Sequence, residues 1–301
     1  MHFIDLQMRI KVLGSAAGGG LPQWNCSCGN CSAARAGTIP RRHVASLAVT
    51  GDETQWVLVN ASGDIGAQLA ATRELAPQAK RRSPVGTLAL TDANIDHVAG
   101  LLEFRQAGEL SIYSSALVKE TLCASPMFAQ FGARFAWHGF EARDGPLCVA
   151  GGIGGLSIWA IAVPGRLPSY AGGAIAHGAA VAYRFVQGDR RVLYAPIFLD
   201  VDAALEREVA DADAIFLDGT CWSDDEMVTL GLGPRTAREM GHAPMTGPGG
   251  SLERVRTSRA RERYYTHVNN SNPILDPASA ARRELTGAGF AVCDDGLVIS
   301  I

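Results

Sequence analysis

Positions 92–97 carry two carboxylates, a side-chain amide and an imidazole: Asp92, Asn94, Asp96 and His97. On an extended backbone residues two apart point the same way, so Asp92, Asn94 and Asp96 converge, and His97 joins them as the chain turns into the helix-like run VAGLLEF. Oxygen donors gathered around one imidazole make the donor set of a metal site. Read more plainly, the segment is an Asp-rich turn with a helix cap. A second cluster lies in QWNCSCGNCSAAR, where Cys26, Cys28 and Cys31 fall within six positions. Three thiolates this close supply three corners of a tetrahedral zinc site, and Gly29 permits the tight turn that convergence requires. Reduced thiols clustered at a surface would be prone to oxidation, which favours a zinc knuckle over 26–31. Its fourth ligand is left open between His43, Asn270 and water. Cys123, Cys148, Cys221 and Cys293 stand alone among apolar neighbours and read as small core residues.

Short apolar strands must hold these groups in place. Strand patterns fall at 8–13, 44–49, 56–59, 85–90, 156–163, 179–185, 192–194 and 214–217, and helical patterns at 66–75, 98–104, 203–209 and 252–263. The strands cluster toward both ends with helices between, which suits an α/β fold of two facing sheets covered by helices on both outer faces. Glycine-rich stretches at 151–155, 171–178 and 247–250 read as loops, and we expect one domain over residues 1–301. With 47% hydrophobic and 19% charged residues the chain can bury a large core. A formal charge of −3 is unsuited to a general nucleic-acid binder, so the expected partner is a small molecule. No apolar run reaches the length of a membrane span. The leading residues lack a secretory pattern, Met8 being an alternative start, and the odd, clustered cysteines suit a reducing compartment; we expect a cytoplasmic protein.

The order T-x-x-x-x-D-H-x-x-G over residues 91–100 resembles the metallo-β-lactamase motif T-H-x-H-x-D-H-x-x-G, with Asp92 and Asn94 at the positions of its first two histidines. MRIKVLGSAAGGGLPQWNCSC, LVNASGDIGAQL and YYTHVNNSNPIL follow the same order of landmarks and span most of the chain. The cysteine knuckle is similar to that of the phosphodiesterase branch. The full combination of D-x-N-x-D-H with QWNCSC and THVNNSNPIL resembles the branch that serves pyrroloquinoline quinone (PQQ) biosynthesis. The resemblance implies a four-layer αββα sandwich of the metallo-β-lactamase type. It also implies two metal positions, and the first is dismantled here. Asp92 and Asn94 replace two histidines, the later loop at 163–166 reads VPGR without a third, and the stretch after Tyr194 lacks the bridging aspartate.

The second position survives as Asp96, His97 and His267. Two imidazoles and a carboxylate form the facial triad of non-haem Fe(II) proteins, with three coordination positions left open. The resemblance thus implies Fe(II), with O2 as co-substrate, hydroxylating the tyrosine ring of a glutamate-tyrosine dipeptide or related small peptide precursor, and a structural Zn(II) on Cys26, Cys28 and Cys31. Asp92 and Asn94 then accept hydrogen bonds beside the metal, or Asp92 coordinates it. Asp218 in IFLDGT orients a histidine or caps a strand end, and His242 in GHAPMTGPGG lines the pocket. Arg254, Arg256, Arg259, Arg261 and Arg263 clamp an acidic substrate or form an exposed helix face. Two other functions are carried forward: a zinc or manganese hydrolase of peptides or phosphodiesters, and a carrier that helps move PQQ or its precursor toward the periplasm. The oligomeric state is open, a homodimer being one reading.

Overall fold

Trp56, Val57, Leu58 and Val59 show how the chain builds its layers. In the computed structural model, which describes residues 7–301, all four are buried; Trp56 and Leu58 join one core, Val57 and Val59 another. A period of two sends alternate side chains to opposite faces, so a strand covered on both sides is an uninterrupted apolar run.

β1 (Arg9–Gly14), β2 (Ser46–Thr50), β3 (Trp56–Val59), β4 (Val85–Ala89), β5 (Ser111–Ser115) and β6 (Ala136–Phe140) follow one another across the first sheet. The second sheet holds β7 (Leu147–Ile153), β8 (Leu156–Val163), β9 (Ala180–Gln187), β10 (Arg190–Ala195), β11 (Ala214–Asp218), β12 (Glu262–Thr266) and β13 (Ala291–Val292). β14 (Val298–Ser300) then returns to pair with β1. In both sheets antiparallel pairing gives way to parallel, from β3 to β6 and from β10 to β13.

Between the sheets, Ile10, Val12, Val49 and Val57 pack with Ile158, Tyr183, Phe185 and Phe216. Outside the first sheet, Leu58, Leu88 and Ile112 pack with Ile65, Leu122 and Phe131 from the helices Ile65–Ala71, Ala116–Cys123 and Pro126–Arg134. Outside the second, Leu193, Ile215 and Tyr265 pack with Leu205, Val255 and Leu285 from Ala203–Asp211, Ser251–Val255 and Ala280–Gly287. These are the four αββα layers expected from the sequence.

Two expectations are corrected. The helix expected over 252–263 stops at Val255, and its last residues instead form β12, hydrogen-bonded between β11 and β13. An Arg-rich run suits a helix by propensity, but pairing on both sides outweighs that preference. Cys221 and Cys293 are buried as expected, whereas Cys148 on the edge strand β7 is exposed and Cys123 only half-buried. Among the described residues no helix is long and apolar enough to cross a membrane. Residues 1–6, part of the leading segment read for a secretory pattern, lie outside the described residues.

Candidate metal centre

The register of β11 on β12 places Asp218 opposite Thr266, and so brings His267 beside the turn that follows Asp218. From the other sheet, the turn after β4 carries Thr91 and Asp92, and Asp92 bridges to Ala180 of β9. Ala16, in the loop leaving β1, bridges both Val44 and Val268. Loops from the two sheets are thereby locked together at one edge of the sandwich, where the ends of parallel strands commonly gather functional groups.

Asp92 is fully buried, and its carboxylate holds the turn around itself. Its Oδ1 accepts hydrogen bonds from the Asn94 backbone N–H and side-chain amide, both 2.8 Å, while Oδ2 accepts from the Thr91 hydroxyl at 2.6 Å and lies 2.5 Å from His97 Nδ1. A carboxylate on Nδ1 fixes the tautomer and leaves Nε2 as the free lone pair. That Nε2 is buried and has no hydrogen-bond partner among the described residues. A buried polar atom left unpaired costs about 1–3 kcal/mol, a penalty that coordination of a cation removes.

His267 is prepared by a different device. Its Nδ1 lies 2.8 Å from Thr220 Oγ1, and that hydroxyl donates to Asp218 Oδ1 at 2.6 Å. The imidazole therefore carries its proton on Nδ1 and turns Nε2 to Asp96, 3.2 Å from Oδ2. Its backbone φ is 53°, left-handed for a non-glycine residue, a conformation costing on the order of 1–3 kcal/mol that persists only where the surroundings impose it. Here Val268 N–H donates to Ser15 and Gly219 N–H to Thr266, clamping the chain on both sides. Asp96, His97 and His267 each offer a ligand atom, all within 4.8 Å of one another. The buried lone pair of His97, the two prepared tautomers and the mixed nitrogen and oxygen donors fit one small cation.

Charges within the site reinforce that fit. Burial alone would raise Asp92 and Asp96, yet His97 holds both below the usual carboxylate range, with His267 acting further on Asp96. Burial would lower His97, but Asp92 and Asp96 raise it to about 9. His267 is pushed below its ordinary value by burial and by His97. A cation at this site competes with protons for the two imidazoles.

His242 stands next to the triad. Its Nδ1 lies 2.7 Å from Asp218 Oδ2 and 3.0 Å from Thr220 Oγ1, and its ring stacks on His267 with centroids 5.2 Å apart. Asp218, His242 and His267 form a second group whose ligand atoms lie within 4.8 Å. Thr220, which connects Asp218 to both histidines, escaped the sequence reading: the only signal was its place two residues after Asp218, within IFLDGT.

A cavity of about 880 Å³ opens over these groups, lined by Gly18, Gly19 and Gly20, by Asp96, His242 and His267, and by Arg41, His43, Asp64 and Arg235. Gly18 packs so closely on Asp96 that a Cβ there would meet Oδ2 at 3.1 Å. The expected convergence of Asp92, Asn94 and Asp96 on one point does not occur, because Asp92 accepts from the Asn94 backbone N–H in an Asx turn and from its side-chain amide. Arg254, Arg256, Arg259, Arg261 and Arg263 are absent from the cavity lining, and Arg254 pairs with Glu206 at 2.7 Å.

The knuckle forms a separate site. The ligand atoms of Cys26, Cys28 and Cys31 lie within 4.8 Å of one another, and the Asn270 side-chain amide sits over them, its Nδ2 3.2, 3.5 and 3.3 Å from the three sulfurs. Turned about its own axis, the amide would offer Oδ1 to a cation held by the three sulfurs, so Asn270 is the fourth-ligand candidate that this geometry favours. His43 does not serve this site; its Nδ1 pairs with Asp64 at 2.6 Å on the cavity lining.

A Beta-lactamase superfamily domain model matches residues 55–268, and with the αββα layering it defines the class: a metallo-β-lactamase fold. Coenzyme PQQ synthesis protein B of Ruegeria pomeroyi is 39% identical over 297 residues, covering 97% of this chain and 99% of that protein. Its counterpart in Azoarcus sp. is 38% identical over 307 residues, covering 98% and 100%. The crystal structure of Zn(2+)-bound PqqB from Methylobacterium extorquens has a TM-score of 0.90 at 33% identity, covering 97% of this chain and 100% of that one. The chain belongs to the PqqB family. A diphosphatase from the PhnP family, 20% identical with a TM-score of 0.68 and covering 98% of each chain, shares the fold.

Proposed function

We propose that this protein serves PQQ biosynthesis in the cytoplasm as an Fe(II)- and O2-dependent hydroxylase of the tyrosine ring in a glutamate-tyrosine precursor. The observation that carries the reading is the buried, unpartnered Nε2 of His97, grouped with Asp96 and His267 while Asp92 is held away on Nδ1. Two histidines and one carboxylate are the donor set of non-haem iron oxygenases rather than of a closed zinc site. Fe(II) held by Asp96, His97 and His267 would supply oxygen activation, one oxygen atom entering the ring and the other leaving as water with two electrons and two protons from an external reductant such as ascorbate.

The protein's own part is positioning and proton handling. Asp92 and the Asp218–Thr220 pair hold the two imidazoles with their lone pairs toward a common point. The glycine turn at 18–20 leaves room beside Asp96 for a ring to approach. His242, whose Nδ1 is engaged by Asp218, keeps Nε2 free to take the phenolic proton. Purification without oxygen, loading with Fe(II), and oxygen uptake with glutamyl-tyrosine and ascorbate test the reading; ring hydroxylation supports it.

The second group, Asp218, His242 and His267, favours one alternative, a metal-dependent hydrolase. Turnover of a phosphodiester or peptide by the zinc-loaded protein, without oxygen, would establish that function instead. Tight binding of PQQ or its precursor with no turnover would favour a carrier.

A further inference from the structure

The cavity over the triad has on its lining two arginines with no ion-pair partner among the described residues. Its acidic lining residues are engaged: Asp96 with His267, and Asp64 with His43 and Ser62. Of its arginines, Arg42 is buried and bonded to Asp294, Ser15 and the Cys293 carbonyl. Arg41 and Arg235 differ. Both line the cavity, both are exposed, and among the described residues neither makes an ion pair or a side-chain hydrogen bond.

Both also stand directly beside hydrogen-bonded backbone. Beside Arg41, the Arg42 N–H and carbonyl pair with Leu21 at 2.8 and 2.9 Å, and His43 N–H donates to Asp295 at 2.6 Å. Arg235 directly precedes Thr236, which caps the helix Ala237–Met240 in a reciprocal capping box with Glu239. The Gly18 and Gly19 amides, on the same lining, make no hydrogen bond among the described residues. A guanidinium presented by a fixed backbone gives up less freedom when it binds, and its planar fork matches a carboxylate.

We infer that Arg41 and Arg235 form a two-point receptor for carboxylates at the triad cavity, selecting a small substrate that carries two of them. The identity of that substrate as a glutamate-tyrosine dipeptide rests on the proposed function; the receptor rests on the unpaired arginines. Glutamyl-tyrosine offers the glutamate side-chain carboxylate and the C-terminal carboxylate.

The test is calorimetric binding of glutamyl-tyrosine to the zinc-loaded protein, beside the same peptide with either carboxylate amidated, in wild type, Arg41→Gln and Arg235→Gln. Each substitution should weaken the dipeptide about tenfold, the low end for a hydrogen bond to a charged group. Each should also lose most of its effect against the peptide amidated at the matching carboxylate, with zinc content unchanged. Unchanged affinity in both variants, equal losses with the neutral peptide, no measurable binding to wild type, or preference for inorganic phosphate would each overturn the receptor. Oxygen uptake separates this from the hydroxylase reading. Arginine-dependent binding without oxygen uptake by the iron-loaded wild type sinks the hydroxylase and leaves the receptor standing. Uptake with the same KM in wild type and both variants does the reverse.

Discussion

His97 and His267 are aimed at one point by unlike partners, a buried carboxylate and a hydroxyl relay, and this difference is testable residue by residue. Asp92→Ala removes the acceptor on Nδ1 and frees the His97 tautomer; metal affinity at the triad should fall about 10 to 100-fold in a competitive chelator titration. Thr220→Val keeps the shape but breaks the link between Asp218 and His267, and a loss of similar size is expected, with the knuckle zinc retained. Unchanged affinity in either variant would mean that its partner does not prepare the ligand. Asp96, His97 and His267 were legible in the sequence because their types and order resemble a family motif. The direction of Asp92 was not, since a carboxylate two residues before an amide can equally face a metal or close an Asx turn. Arg41 and Arg235 were invisible because both are ordinary surface residues until the fold brings them to one cavity.

The loop after β12 serves both sites, with His267 at its start and Asn270 over the knuckle sulfurs. Cys28→Ser should release one zinc per chain and lower thermal stability; a full equivalent of zinc at unchanged stability would rule out the knuckle. The same loop is tied to the short helix Glu226–Thr229, because Ser271 donates to the Glu226 carboxylate, which also accepts from Trp222 N–H. Burial raises Glu226 from 4.5 to about 7. Since the folded pKa lies above the unfolded one, its stabilising contribution is full below about pH 4.5 and is lost as pH rises through about 7. Glu226→Gln keeps one acceptor oxygen for Trp222 N–H and can donate its Nε2 to the Ser271 hydroxyl, and denaturant unfolding should show it losing up to about 3 kcal/mol less than wild type across that window. An identical pH slope in the two proteins would contradict this. The region 252–263 was misread at this scale: ERYYT alternates weakly, and only the strands on either side make it β12.

At the scale of the molecule, apolar runs such as 56–59 and 214–217 announced layers buried on both sides, and the αββα order follows from them. The locking of the two sheets at the site edge, through Asp92 with Ala180 and Ala16 with Val268, has no signature along the chain. Because Asp96 and His97 follow a strand of one sheet and His267 a strand of the other, the triad assembles only when both sheets are packed. Triad metal at 100 times its dissociation constant should therefore stabilise the fold by about 2.7 kcal/mol and raise Tm by roughly 5 °C in a thermal melt, an effect absent from His267→Ala.

The most direct test of the account is oxygen uptake by the Fe(II)-loaded protein supplied with glutamyl-tyrosine and ascorbate, wild type against His267→Ala. The account predicts one hydroxylated tyrosine ring per O2 consumed in the wild type. In the variant both uptake and triad iron should vanish while the fold and knuckle zinc persist. Iron-loaded wild type that consumes no oxygen with the dipeptide, or a His267→Ala protein that keeps triad iron and turns over normally, would contradict it.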